Sequence, residues 1–136
     1  MCEMFECCDS LNSLDISHFD MSNVKNTAFM FNHCHSFQTI DLSNWNVSKV
    51  KYMNDMFAHC ERLETLNISN WNMKSVISYD NLCYNCNKLI NVNLSNMNID
   101  SISYLLVHFR DKDNINFIFS HDYEEYNNPC LYREIR

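Results

Sequence analysis

The residues of this 136-residue chain best equipped for chemistry are its eight cysteines and six histidines. They gather most tightly in Cys83-x-x-Cys86, Cys7-Cys8, His33-Cys34-His35 and His59-Cys60. Such groupings serve either tetrahedral metal ligation or thiol–disulfide exchange. A structural zinc site ordinarily needs two Cys pairs, and one C-x-x-C stands alone here. Two histidines without a carboxylate beside them do not make an open catalytic metal centre.

Position along the chain explains these residues better than metal chemistry does. Cys8, Cys34, Cys60 and Cys86 recur every 26 residues, and Cys83 falls in the column filled by Phe5, Phe31 and Phe57. Each is read as a small apolar side chain in a core, the usual state of a free cysteine. A disulfide within the column would need Cα atoms within about 7 Å, and the sulfurs are expected to miss one another. Cys2, Cys7 and Cys130 are left over, at the ends or beside the column. His33 and His59 share one place in successive copies, so their imidazoles can stack in solvent, while Cys7 and Asn85 stand there in the other copies. No phosphate loop, G-x-S-x-G or H-E-x-x-H is present. Ser17, Ser43, Ser69 and Ser95 repeat as a ladder, whereas a nucleophile is one special residue. The expectation is a chain with no catalytic residue, no metal ligand and no cofactor.

The elements that position all of these side chains are set by the repeat. Its copies cover residues 4–29, 30–55, 56–81 and 82–107, with 108–136 read as a half-repeat and carboxy-terminal cap, all within one domain. Apolar columns run through it: Leu11, Phe37, Leu63, Leu89; Leu14, Ile40, Leu66, Val92; Ile16, Leu42, Ile68, Leu94; Phe19, Trp45, Trp71, Met97. Leu63, Leu66, Ile68, Trp71 and Met73 reproduce the leucine-rich-repeat frame L-x-x-L-x-L-x-x-(N/C)-x-L. Leu66 and Ile68 lie two apart and share one face of a short strand, and Thr65, Asn67 and Ser69 share the other. Met53, Met56, Phe57 and Cys60 lie at helical spacing upstream. A single unit loses about 1–2 kcal/mol of backbone entropy per residue and cannot recover it alone, so units must stack. The expected fold is an α/β solenoid: a leucine-rich repeat with a short parallel β-sheet on the concave side and short helices or helical turns on the convex side. Phe109, Ile115 and Ile118 continue the Cys83, Leu89 and Val92 columns, which predicts a further strand over 116–120. His121 to Pro129 is read as a cap that blocks edge pairing.

The wording M-F-x-x-C-x-x-[LF]-x-x-[LI]-[DN]-[LI]-S-x-[WF]-[ND], found from Met30 to Asn46 and Met56 to Asn72 and more loosely from Met4 to Asp20, resembles the BspA-like leucine-rich repeat. That repeat is known from bacterial surface proteins, mycoplasma lipoproteins, protists and large DNA viruses. The resemblance covers residues 4 to about 107 and implies adhesion or host contact. In the fourth copy Leu82-Cys83 replaces Met-Phe and Met97 replaces the aromatic residue.

Composition narrows the partners. With a net charge of −7 and no Lys/Arg cluster, nothing is available to neutralise a phosphate backbone, so nucleic acid is not expected. No apolar run reaches the roughly 18 residues of a membrane span, so membrane insertion is not expected. Met1 to Glu6 lacks the basic start and apolar stretch of a signal peptide, which leaves the location unknown, with an intracellular or virion setting as the default. Glycine is absent. Asn44, Asn46, Asn70, Asn72, Asn96 and Asn98 follow the strands, where Asn best tolerates left-handed backbone.

A non-enzymatic interaction module is therefore the leading expectation. Its candidate concave face comprises Ser13, Asp15, Ser17, Thr39, Asp41, Ser43, Thr65, Asn67, Ser69, Asn91, Asn93 and Ser95. The bland reading of these small polar groups is that they hydrogen-bond along the ladder and solvate the sheet. The expected partner is a protein, including another copy docked end to end or edge to edge on the uncapped amino-terminal unit. A structural component of a virion or surface layer is the alternative, and a Cys/His metal or thiol protein is more distant.

Overall fold

The computed structural model describes residues 1–109, 112 and 114–120. The proposed cap at 121–136, with Cys130, lies outside the described residues. Four strands, β1 (Thr39–Asp41), β2 (Thr65–Asn67), β3 (Asn91–Asn93) and β4 (Asn116–Ile118), form one parallel sheet in that order. A single helix, α1 (Ile99–His108), precedes β4. Thr39 pairs with Thr65 and Thr65 with Asn91, so the first three strands keep the 26-residue register of the sequence. Ile40, Leu66 and Val92 stack behind the sheet as its buried column, followed by Leu42, Ile68 and Leu94. The first unit supplies no strand: Ser13 to Asp15 pairs with no neighbour in the sheet among the described residues.

The other side of the first three units is built of turns, and only the fourth carries a helix there among the described residues. Alternate amides there reach the next unit: Phe29, Phe31 and His33 donate to the carbonyls of Asn54, Met56 and Ala58, at 3.1, 2.9 and 2.9 Å. The amides between them close turns three residues back, as Asn32 does onto Phe29. Left-handed residues bracket each turn, with φ of 57° at both Phe29 and His33, 55° at Asp55 and 61° at His59. A helix would use those amides internally, and a segment of eight or nine residues nucleates one poorly. Lateral carbonyls at the right height win instead. Left-handed backbone costs about 1–2 kcal/mol at a non-glycine residue, so its recurrence at fixed positions means the ladder between units outweighs that cost. Asparagine carries only part of it: Asn70 and Asn96 are left-handed as expected, but Asn44, Asn46, Asn72 and Asn98 are not, and Glu3, Cys7 and Phe29 are.

Aromatic and donor side chains tie the units internally. Phe5, Phe31 and Phe57 stack nearly parallel, with ring centroids 5.5 and 5.7 Å apart. Trp45 and Trp71 are buried, and each indole N–H donates to a carbonyl of the preceding unit, Ile16 at 3.1 Å and Leu42 at 2.9 Å. Helix α1 begins where Asn98 caps the Ser101 amide at 2.8 Å and buries Ser101, Ile102 and Leu105. It replaces, in the fourth unit, the bridge that runs from Asn26 to Tyr52 to Ser78 in the first three.

The last strand slips by one residue against the expected columns. Val92 pairs with Phe117, not Ile118. Because side chains alternate, that slip exchanges the two faces. It turns Phe117 and Phe119 toward the core and leaves Ile118 41% exposed, whereas the sequence-spaced register would have buried Ile118 and Ser120. Two phenyl rings outweigh an isoleucine and a serine. Phe117→Ala should therefore lower stability in urea by about 2–3 kcal/mol and Ile118→Ala by less than about 0.5 kcal/mol. The opposite ranking would restore the unslipped register.

Candidate functional site

Eleven of the twelve residues expected on the binding face are exposed or half-buried, but much of their polarity is committed. Asp15, Asp41, Asn67 and Asn93 each accept, through Oδ1, the backbone N–H two residues on, from Ser17, Ser43, Ser69 and Ser95 at 3.1, 2.9, 3.2 and 3.0 Å. These are Asx turns, which end each strand without glycine. Asp20, Asn46 and Asn72 repeat the device one turn later on Ser22, Ser48 and Lys74. Asn70 and Asn96 extend an amide ladder, Asn96 Nδ2 donating to Asn70 Oδ1 at 3.0 Å. Within the twelve-residue face, Ser13, Asp15, Ser17, Thr39 and Asp41 are exposed, and Ser43, Thr65, Asn67, Asn91, Asn93 and Ser95 are half-buried. Ser69 is a correction: it is buried at 6% exposure, with the side-chain amide of the exposed Asn70 donating to its hydroxyl at 3.5 Å. Ser13, Asp15 and Ser17 lie beside the sheet, lining a hollow of about 320 Å³ against Thr39, Ile40 and Asp41.

Local hydrogen bonds hold the carboxylates ionised. The Ser17 hydroxyl and amide hold Asp15 below the usual carboxylate range. At Asp41 partial burial pushes upward, but the Ser43 amide and hydroxyl and the Asn67 side chain outweigh it, and the net direction is down. The exposed half of the face is thus negative near neutral pH.

The cysteine column is a hydrogen-bond ladder. Cys34, Cys60 and Cys86 thiols donate to the carbonyls of Phe5, Phe31 and Phe57 at 3.0, 3.1 and 3.0 Å. Thiol and indole thus do the same work on two sides of the unit. The indole half of the signal was present in the sequence: the second and third copies carry Trp45 and Trp71 where the first carries Phe19, while the cysteine column runs through all four copies, Cys8 included. Burial pushes Cys34 up to about 11. A hydrogen bond with Cys86, and then burial, raises Cys83 as well. The neighbouring thiols of Cys60 and Cys83 draw Cys86 downward, yet the Phe57 carbonyl 3.0 Å from its sulfur accepts only from a protonated thiol, so the geometry keeps Cys86 as S–H. All seven described cysteines are free thiols.

His33 and His59 stack face to face, centroids 4.3 Å apart and 4° from parallel, and Asn85 continues the column with its amide 3.3 Å from His59 Nδ1. They are half-buried rather than fully solvated. His35 adds an edge to His33 and lies 3.8 Å from Asp9. Among the described residues, no three His, Cys, Asp or Glu side chains converge as a metal site would require. No helix among them is long and apolar enough to cross a membrane.

These features define an α/β protein of stacked repeat units whose side-chain chemistry is spent mainly on joining one unit to the next. The chain belongs to the family described as Mycoplasma protein of unknown function, DUF285, which matches residues 1–122. No curated protein and no solved structure matches it.

Burial separates the thiols into two classes. Alkylation of the native protein by iodoacetamide, read by peptide mass spectrometry, should label Cys2 and Cys7 rapidly and leave Cys34, Cys60, Cys83 and Cys86 unlabelled until denaturant is added. Rapid labelling of Cys86 would instead identify a reactive thiolate.

Proposed function

We propose that the chain is a leucine-rich-repeat solenoid of the BspA-like kind, acting as a non-enzymatic protein-interaction module. The observation that carries this reading is the alignment of Thr39, Thr65 and Asn91 along one side of the sheet while Ile40, Leu66 and Val92 line the other. A rigid row of short polar side chains on parallel strands is a surface made for contact with another macromolecule, and repeat scaffolds present such rows for that use. The regular serine column favours packing over catalysis, and the charge disfavours nucleic acid.

A second reading, a structural component that stacks end on end, draws support from one feature. Apolar columns buried in the interior units are half-exposed in the first: Phe5, Leu11 and Leu14 against Phe31, Phe37 and Ile40. Light scattering separates the two readings, since a strict monomer at high concentration counts against assembly.

The contact face is tested best where side chains are free of turn duties. Thr39→Arg with Thr65→Arg should abolish capture of partners from the native source while leaving Tm within about 2 °C, because surface changes away from caps and cores cost little. Asp41→Arg is the poorer test, since it also releases the Ser43 amide. Capture that survives the double variant with unchanged strength would remove the sheet face from the proposal.

A further inference from the structure

The first unit differs from the others in a way the repeat does not require. Its columns are kept apolar, with Phe5, Cys8, Leu11, Leu14, Phe19 and Val24 half-exposed, although Phe31, Cys34, Phe37, Ile40, Trp45 and Val50 beneath them are buried. Around this apolar centre stand Glu3, Glu6, Asp9, Asp15 and Asp20, all exposed. Shifted by 26 residues the same five positions carry one carboxylate (Asp41), shifted by 52 two (Asp55, Glu61) and shifted by 78 none. Five carboxylates against the single Lys25 place about −4 of the chain's net −7 on residues 1–29. A unit shaped only for solubility would make its outer face polar. This one keeps an apolar centre and charges the rim, which is the anatomy of an interface.

Backbone polarity points the same way. At each junction of the turn side, amides of one unit donate to carbonyls of the next: Glu3, Phe5 and Cys7 to Ala28, Met30 and Asn32; Asp55, Phe57 and His59 to Asp80, Leu82 and Tyr84. The positions equivalent to Ala28, Met30 and Asn32 in the first unit are Cys2, Met4 and Glu6. Among the described residues, no amide of another unit reaches their carbonyls. This face of the first described unit therefore offers apolar area, hydrogen-bond acceptors and negative charge together.

We propose that this amino-terminal end docks a cationic amphipathic segment of a partner protein, whose apolar side covers the Phe5, Leu11, Leu14 and Phe19 columns while its Lys and Arg side chains meet the carboxylate rim and the free carbonyls. The proposal rests on the interaction-module reading and assigns it a second face and a partner chemistry. A second copy presenting the same end would bring acceptor against acceptor and carboxylate against carboxylate, and like charges so placed repel.

The test uses the full chain and two labelled synthetic peptides, one of alternating Lys and Leu patterned as an amphipathic helix and one with Glu in place of Lys. Fluorescence anisotropy should show saturable binding of the Lys/Leu peptide alone, weakening with salt. Glu3→Lys with Glu6→Lys should raise its Kd about tenfold or more, whereas Glu61→Lys with Asp80→Lys, the same charge change on the third unit, should raise it less than about twofold. Methyl NMR should confine the shifts to Leu11, Leu14 and Val24. Equal binding of the Glu/Leu peptide, equal loss in both charge reversals, or no saturable binding overturns the proposal. Shifts along Thr39 and Thr65 would also overturn it while leaving the interaction-module reading intact, and dimer formation through the Leu11 and Leu14 methyls would assign the end to a second copy.

Discussion

Amides that reach sideways to the carbonyls of the following unit fix this molecule. On the turn side they span 25 residues, from Glu3 onto Ala28 to His59 onto Tyr84, and on the sheet side the first three strands pair at a 26-residue register. One insertion would put every later residue out of reach of its acceptor. The unbroken 26-residue spacing of the sequence is the chain's answer to that geometric demand, and the left-handed backbone at non-glycine residues is what it tolerates to meet it.

Side chains follow the same logic. A column position faces its own counterpart above and below, so whatever works once works at every junction. Phenyl rings stack on phenyl rings, and thiols and indoles find the carbonyl 29 residues earlier. A thiol suits the cysteine column because it is small, apolar and a weak donor at once, which an alanine or a serine is not. Where the demand lapses the residue type drifts. Lys112 takes the cysteine place after the last full unit, and its amine bonds the Cys86 carbonyl from the side at 3.2 Å.

How much of this could be read from the sequence depends on which constraint wrote it. Burial wrote the apolar columns, so the strands, their register across the first three and the buried Trp45 and Trp71 were legible from spacing alone. The turn side misled because Met53, Met56, Phe57 and Cys60 would sit at 3 and 4 spacing in a helix or in a tight turn alike. Only the destination of the amides distinguishes the two, and amides are the same in every residue. The slip at β4 was hidden for a different reason. Counting by 26 assumes that the period outlives the repeat, yet after α1 the choice between Phe117 and Ile118 is made by ring area rather than by habit. On the candidate face the sequence showed which residues point outward, but not that Asp41 and Asn67 spend an oxygen on their own turns, or that Ser69 is carried inside with one of them.

Stability in such a stack is the sum of what each unit has and what each junction adds. Among the described residues an interior unit has two junctions and the first has one, so the first is less protected than those beneath it: its columns are half-exposed and its strand segment is unpaired. Local opening should begin there. Anything that binds that end while it is folded supplies the missing junction and stabilises it by an amount that grows as the logarithm of ligand concentration over Kd. Folding of the first unit and recognition at its outer face are then one equilibrium seen from two sides.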